Sequence, residues 1–412
     1  MTTAESSAVL VQDLDLPEVE LAGHSRDEIV RIVAEAAQQH WLARTPMGYL
    51  VSRYDDVVAL LGERRFHSAI SLIPQMQGMD DVELGDERRA RSILALEGLE
   101  HNRLRRLVSP AFTPASTEKL RPFMGSVLND LVDAVAGSGS TELVADVCEP
   151  YPIPIICELI GAPKQDWKLF SRLATDIFRI FNQNLAEDAA AIRAASDELN
   201  AYLTEMIDDR RRDPRDDLLS RLIAVEEGGD KLTTDEMTTL VASLLLAGTD
   251  TTRNQLGCAV ALFAQHPDQW ALLAREPERA PAAVEEAMRH LGAVRGTIRF
   301  ASEDIDLKGV RFPQGTLVNA HIAAANHDEA TWTDPGRFDI TAERDAAQLT
   351  FGWGTHFCLG ANLARAELQE ALVLLATRLP DLELAGEVTW KPDTFGIWGP
   401  AVLPLRFTPT AT

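Results

Sequence analysis

The sequence predicts a mainly α-helical protein with small β-sheets, an α+β class, and three observations carry that expectation. Helical periodicity dominates from His101 to about His290, short strand-like segments take over after Leu291, and a glycine-lined cysteine precedes one more helix near the C-terminus.

With 412 residues, 46% of them hydrophobic and 25% charged, the chain has the composition of a globular protein with a large core. No linker divides it, so residues 1–20 are expected to form a flexible N-terminal segment and residues 21–412 a single domain. A formal net charge of -24 argues against nucleic acid and anionic membrane surfaces as partners. Four scattered cysteines suit a reducing compartment. The start Met1-Thr2-Thr3-Ala4-Glu5 lacks basic and apolar signal regions, and no run approaches the roughly 18 to 20 apolar residues of a membrane span. A cytoplasmic protein without a membrane anchor is expected.

Ser25-Arg26-Asp27-Glu28 offers a capping box that opens a helix toward Trp41. Gly48 to Val51 reads as a strand, and Asp55-Asp56 starts a short helix. From Phe66 to Gly98 the signals are irregular, and a connection of that length is marked as a substrate loop. Pro152 and Pro154 interrupt the helical tract, and Asp208 to Asp217 reads as a solvated linker of mixed charge. Thr233 begins the longest helix, running to about Gln265 and spanning roughly 50 Å. Its middle, Leu240 to Ala247, is apolar on every face, so it is expected to be buried. Strands follow at Thr297 to Ala301, Val310 to Phe312 and Leu317 to His321, with turns at Lys308-Gly309 and Pro313-Gln314-Gly315. A helix then reaches about Leu379, and Leu382 to Phe407 reads as terminal strands.

The chemistry centres on Phe351-Gly352-Trp353-Gly354-Thr355-His356-Phe357-Cys358-Leu359-Gly360. A cysteine ligates a metal only as thiolate, and a helix start with its unpaired N–H groups and dipole favours that anion. Zinc does not suit Cys358, because no C-x-x-C pair or close histidine pair exists. Cys148, Cys157 and Cys258 read as buried small hydrophobes. The pattern F-G-x-G-x-H-x-C-x-G resembles the haem-ligating signature of the cytochrome P450 superfamily, in its soluble bacterial type. The resemblance extends from about residue 20 to about residue 408. It implies the fold of that family, with a long central helix crossing over the haem. It also implies haem b, iron protoporphyrin IX, with Cys358 as axial ligand and Phe351, Gly352 and Gly360 beside it.

Ala247-Gly248-Thr249-Asp250-Thr251-Thr252 places an acid and three hydroxyls in the buried helix. The residues alone fit equally a helix that ends at Gly248 with Asp250 capping a second one. Their likeness to the family's A-G-x-D-T motif implies a local bulge at Gly248. It makes Asp250 the proton-delivery acid and Thr251 the hydroxyl that works with it. Glu286-Ala287-Met288-Arg289, with Arg337 in Asp334-Pro335-Gly336-Arg337-Phe338, resembles a structural triad that locks the cysteine loop. His101 and Arg105 match H-x-x-x-R, and with Arg299 and His356 they would hold the haem propionates. Analogous positions put Ile70, Leu72, Leu244, Ala247, Val294, Thr297, Ile397 and Trp398 around the substrate.

The resemblance implies an oxidoreductase, a monooxygenase that activates dioxygen reductively to hydroxylate or epoxidise a lipophilic small molecule. That molecule would be a terpenoid, steroid, fatty acid, aromatic or secondary-metabolite intermediate. No flavin or iron–sulfur module fits this length, so electrons from NAD(P)H would arrive through ferredoxin reductase and ferredoxin to a monomeric enzyme. Arg88, Arg89, Arg91, Arg103, Arg105 and Arg106, against Glu97 and Glu100, form a basic stretch where an acidic ferredoxin would dock, chiefly on Arg103 and Arg106. A peroxide-driven enzyme, a coupling or dehydrating enzyme and a non-catalytic haem sensor share the cysteine loop. The acid–alcohol pair Asp250-Thr251 favours the monooxygenase.

Overall fold

Thr233 caps the longest helix. Its Oγ1 accepts from the Glu236 N–H at 3.1 Å, and Glu236 Oε2 accepts from the Thr233 N–H at 2.8 Å, so two end donors that a helix leaves unpaired are satisfied. The computed structural model describes residues 8–76, 78, 89–181, 185–227, 232–392 and 397–410, and in it Thr234–Phe263 runs unbroken for 30 residues. The helix neither ends nor bulges at Gly248. A Cβ there would lie 2.9 Å from Ile156 Cγ1, so the glycine instead lets the helix Pro152–Ile160 pack closely against it.

Leu240, Val241, Leu244, Leu245, Leu256 and Val260 of this helix are buried in the main core, as its all-apolar middle predicts. Around it pack the helices Pro152–Ile160, Leu185–Arg212 and Ala361–Arg378. The expected capping box at Ser25 opens the helix Arg26–Gln39. The strands gather into a five-stranded sheet in the order Leu42–Thr45, Gly48–Val51, Leu317–Ala320, Thr297–Ala301, Phe66–Ser68. Glu383–Leu384, Pro404–Arg406 and Ser140–Glu142 make a separate sheet. Helix-rich architecture with small sheets is what the sequence predicts.

Two expectations fail. Residues 8–20 are not a loose lead: Val9–Leu10 pair in parallel with Val310–Arg311, and Val11, Leu16 and Val19 are buried. Backbone pairing with Arg44 anchors the same stretch, and pairing through main chain leaves no periodicity to read. Residues 1–7 lie outside the described residues. Asp208 to Asp217 is not a solvated linker either, because the helix Leu185–Arg212 runs through its first half. Arg210 and Asp217 pair at 2.7 Å with side chains 7% exposed each. A buried pair broken on one side leaves an uncompensated charge, so Asp217→Ala is expected to lower stability by about 3–5 kcal/mol. Arg31→Ala, which removes an exposed pair with Glu35, should change it by less than about 1 kcal/mol. Urea unfolding of the two variants checks this, and equal midpoints would contradict it.

Candidate active site

Glycine shapes the cysteine loop. Gly352 and Gly354 take φ of 73° and 70°, and a Cβ on Gly354 would fall 2.2 Å from the carbonyl of Leu61. Only glycine lets the loop tuck against the end of the helix Tyr54–Gly62. The chain then returns so that the Cys358 N–H donates to Phe351 O at 2.9 Å. Arg105 fastens the loop by donating to Thr355 O at 3.4 Å and Phe357 O at 2.5 Å. Gly360 caps the helix Ala361–Arg378. Burial pushes the Cys358 thiol up, while the Gly360 N–H, Arg105 and Arg365 pull it down, and the net direction is upward. The helix start therefore does not ionise the sulfur alone. A bound metal cation deprotonates a coordinating thiol and completes that chemistry. The other three cysteines are buried, with Cys157 and Cys258 pushed up to about 12 by burial, as inert thiols should be.

Beside the loop lies a cationic pocket. The His101 and His356 rings are 4.6 Å apart, and buried His101 Nδ1 has no hydrogen-bond partner. His356 Nε2 lies 2.8 Å from Glu97 Oε1, which also accepts from the Ser68 N–H at 2.7 Å. Burial raises the Glu97 carboxyl, but these two bonds outweigh it and hold it below the ordinary range. Ser68 opposes Arg299 across neighbouring strands. Among the described residues buried Arg299 bonds only to Thr297 Oγ1 and Ile298 O, and burial pulls it down to about 10 with Glu97 as the opposing charge. A buried guanidinium without a bonded carboxylate and an orphaned imidazole nitrogen suit an anionic group supplied by a ligand. Together with Cys358, these residues fit a haem, whose propionates His101, Arg105, Arg299 and His356 could hold. Glu97 escaped the sequence reading as part of this cluster, since it looked like an ordinary acid among arginines.

On the central helix, Asp250 is 4% exposed, and its Oδ1 accepts from Arg253 Nε at 2.6 Å. Thr251 Oγ1 donates to Ala247 O at 2.7 Å. Thr252 Oγ1 donates to Glu367 Oε2 at 3.3 Å, which joins this helix to the one that follows the cysteine. Glu367 is 1% exposed, and its Oε1 has no partner. Burial raises its carboxyl well above the ordinary value, opposed only by Thr252, and so favours its protonated form. In sequence it passes for a solvated residue of a helix rich in Leu and Ala.

The triad needs one correction. Glu286 accepts from Arg289 at 2.8 Å on each oxygen, but the second guanidinium is Arg344, also at 2.8 Å. Arg337 is 66% exposed and pairs with Asp339, and only its carbonyl meets Arg289. The turn in which the Arg337 N–H bonds Asp334 O sends that carbonyl inward and the side chain outward.

Of the expected pocket residues, Ile70 and Leu72 lie on the turn Ala69–Leu72, which packs beside the strand Thr297–Ala301 that begins with Thr297. Val294 and Ile397 form an antiparallel bridge, and Leu244 and Ala247 sit on the central helix. Trp398 is core instead. It stacks on Trp390 at 4.4 Å, is 3% exposed and donates from Nε1 to Lys391 O at 3.0 Å.

A thiol presented by a glycine loop, a cationic edge and an acid–hydroxyl helix define a haem-thiolate site. The chain belongs to the cytochrome P450 family, whose model matches residues 75–280 and 278–380. It is 38% identical over 377 residues to the luteothin monooxygenase of Streptomyces thioluteus, covering 91% of this chain and 92% of that protein. It is 37% identical over 372 residues to the mycinamicin IV hydroxylase/epoxidase of Micromonospora griseorubida, with 88% and 91% covered. Among solved structures, P450BioI in complex with an acyl carrier protein ligated by hexadec-9Z-enoic acid superposes with a TM-score of 0.85 at 31% identity, covering 92% of this chain and 100% of that one. The protein is an oxidoreductase of the cytochrome P450 monooxygenase type, and its family implies haem-thiolate iron. Among the described residues no helix is long and apolar enough to cross a membrane.

A protonated Glu367 makes stability depend on pH in one direction. Between the ordinary value of 4.5 and its raised folded value, the folded state keeps a proton that the unfolded chain releases, so stability falls as pH rises, by up to about 1.4 kcal/mol per unit. Glu367→Gln removes that titration. Its stability advantage over the parent in urea should widen between about pH 5.5 and about pH 7.5, and parallel curves would show that the carboxyl is not held protonated.

Proposed function

We propose that this protein hydroxylates or epoxidises a lipophilic secondary-metabolite intermediate, using dioxygen and electrons passed from NAD(P)H through ferredoxin reductase and ferredoxin. The observation that carries the reading is the pair Asp250-Thr251, set in the middle of a buried helix just after its apolar stretch and joined to the cysteine helix through Thr252 and Glu367. When bound, the haem supplies reductive activation of dioxygen, and thiolate ligation favours cleavage of the O–O bond. The chain's own residues do the rest. Cys358 ligates, and His101, Arg105, Arg299 and His356 hold the anionic edge. Glu286, Arg289 and Arg344 keep the loop in place. Asp250 brings protons inward, and Thr251, whose hydroxyl is anchored on Ala247 O, orders the water that receives them.

The apolar side chains of Ile70, Leu72, Leu244, Val294 and Ile397 exclude water and support a lipophilic substrate. The relatives' names, a luteothin monooxygenase and a mycinamicin IV hydroxylase/epoxidase, support a secondary-metabolite intermediate. For the electron donor, the basic surface differs from the one expected. Arg103 is engaged by Glu236 of the central helix, because its side chain points along the helix Gly98–Val108 toward that carboxylate. Arg91 and Arg106 are both exposed and support a contact with an acidic ferredoxin, and Arg88 lies outside the described residues. The protein works in the cytoplasm as a monomer, in keeping with its cysteine content and strongly acidic surface.

Thr251→Ala is expected to keep consuming reducing equivalents while more of them end as hydrogen peroxide. Asp250→Asn should slow turnover by about 100-fold, the scale of a lost general acid. Oxygen uptake, peroxide yield and product formation measured side by side check both. Two variants matching the parent in rate and coupling would remove the pair from the reaction.

A further inference from the structure

Asp250 also meets the hairpin formed by Thr389–Trp390 and Pro400–Val402. This hairpin is seated directly on the central helix. A Cβ on Gly399 would fall 2.7 Å from Asn254 Oδ1, and one on Gly257 would fall 2.7 Å from Pro400 Cγ. Trp398 closes the frame, through its stack on Trp390, its bond to Lys391 O and a backbone bond to Ala293 O at 2.9 Å. From that frame Lys391 sends its ammonium to 3.9 Å from Asp250 Oδ1. Its side chain is 31% exposed where that of Asp250 is 6% exposed, so Lys391 spans from solvent to the buried acid.

The two carboxylate oxygens are treated differently. Oδ1 accepts from Arg253 Nε, pairs with Arg253 Nη2 and faces Lys391. Oδ2 accepts no hydrogen bond from the described residues. We propose that Lys391 is a positioning residue for the proton-delivery acid. With Arg253 it fixes Oδ1, leaves Oδ2 as the oxygen that gains and loses the proton, and ties the acid to the hairpin that borders the pocket at Ile397. The proposal rests on the reading of Asp250 as that acid. In the transfer, Oδ2–H releases its proton to a water on the pocket side, and the carboxylate takes one back from a water on the solvent side.

The charges around the acid come from several elements. Arg253 lies on the central helix and Lys391 on the hairpin. Glu149, ahead of the helix Pro152–Ile160, is 3.6 Å from Arg253 Nη1. Thr175, on the helix Trp167–Phe178, accepts from Arg253 Nη2 at 3.3 Å. Burial pulls the Lys391 ammonium down while Asp250 raises it, and Cys258 is a further neighbour. Without Lys391, Arg253 alone would serve both Asp250 and Glu149, and Asp250 Oδ1 would lose one of the two cations that face it.

The test uses the haem-loaded enzyme with ferredoxin, its reductase and dodecanoic acid as the lipophilic probe, and reads oxygen-dependent NADPH consumption against pH. Lys391→Met should displace the pH profile of consumption by about one unit toward higher pH. Lys391→Arg should hold it near the parent, and an unchanged spectrum of the reduced carbon monoxide complex confirms folding. On an Asp250→Asn background, Lys391→Met should change nothing further. If Asp250→Asn itself matches the parent, the reading of the acid fails and this proposal falls with it. If Asp250→Asn alters the profile while Lys391→Met leaves it unmoved, the proposal alone is overturned. An equal effect of Lys391→Met on both backgrounds would also overturn it, since Lys391 would then act on the pocket and not through the acid.

Discussion

The carboxylate of Glu286 is withdrawn from water and held between two guanidiniums, and the presentation of Cys358 depends on that arrangement. Burial alone would raise Glu286, but Arg289 and Arg344 outweigh it and keep the group anionic. Arg289 passes the constraint on by donating to Asn326 O at 3.0 Å and Pro335 O at 2.9 Å. Asn326 in turn accepts from the Leu349 N–H at 2.8 Å and donates to Thr350 Oγ1 at 3.2 Å, and Thr350 donates to Met288 O on the helix that carries Glu286. The chain therefore enters the cysteine loop from a fixed point. Gly354, pressed against Leu61, gives a second one a few residues on. A ligand atom that follows two anchors within nine residues is ordered before the metal arrives, so binding carries less of the entropy cost of ordering the loop.

The central helix turns this anchored loop into a site. Four of its polar residues reach different walls. Gln255 donates to Leu291 O at 3.1 Å and accepts from the Ala293 N–H at 2.8 Å, which pins the turn before Val294. Thr252 reaches Glu367 on the cysteine helix, and Asn254 packs under Gly399 of the C-terminal hairpin. Asp250 draws in Arg253 and Lys391. A polar side chain in a buried helix is unfavourable unless it is answered, and here each answer also sets the position of a pocket wall. Rigidity of the scaffold and placement of the chemistry are thus produced by the same bonds.

Much of this was legible in the sequence, for local reasons. The capping residues Ser25 and Thr233 act within three positions of themselves, so the helix starts they announce survive into the structure. The glycine-framed cysteine is equally local, and the apolar run Leu240 to Ala247 could only be buried. What failed to show depends on partners distant in the chain. Arg344 displaces Arg337 because of the direction of one turn, and Arg103 is drawn to Glu236, which lies 133 positions away. Glu97, Glu367 and Lys391 look like solvated residues until burial and neighbours are known. Gly248 was read as a bulge from its likeness to the A-G-x-D-T motif, yet the residue that requires a glycine there is Ile156, on another helix.

The central claim is that Cys358, presented by the loop anchored at Glu286, ligates a haem iron as thiolate. Its most direct test is the absorption spectrum of the reduced protein under carbon monoxide, recorded for the parent and for Cys358→Ser. The parent should show the red-shifted Soret band of thiolate ligation, and the serine variant should lose it even where haem remains bound. A red-shifted band that persists without the sulfur of Cys358 would contradict the account.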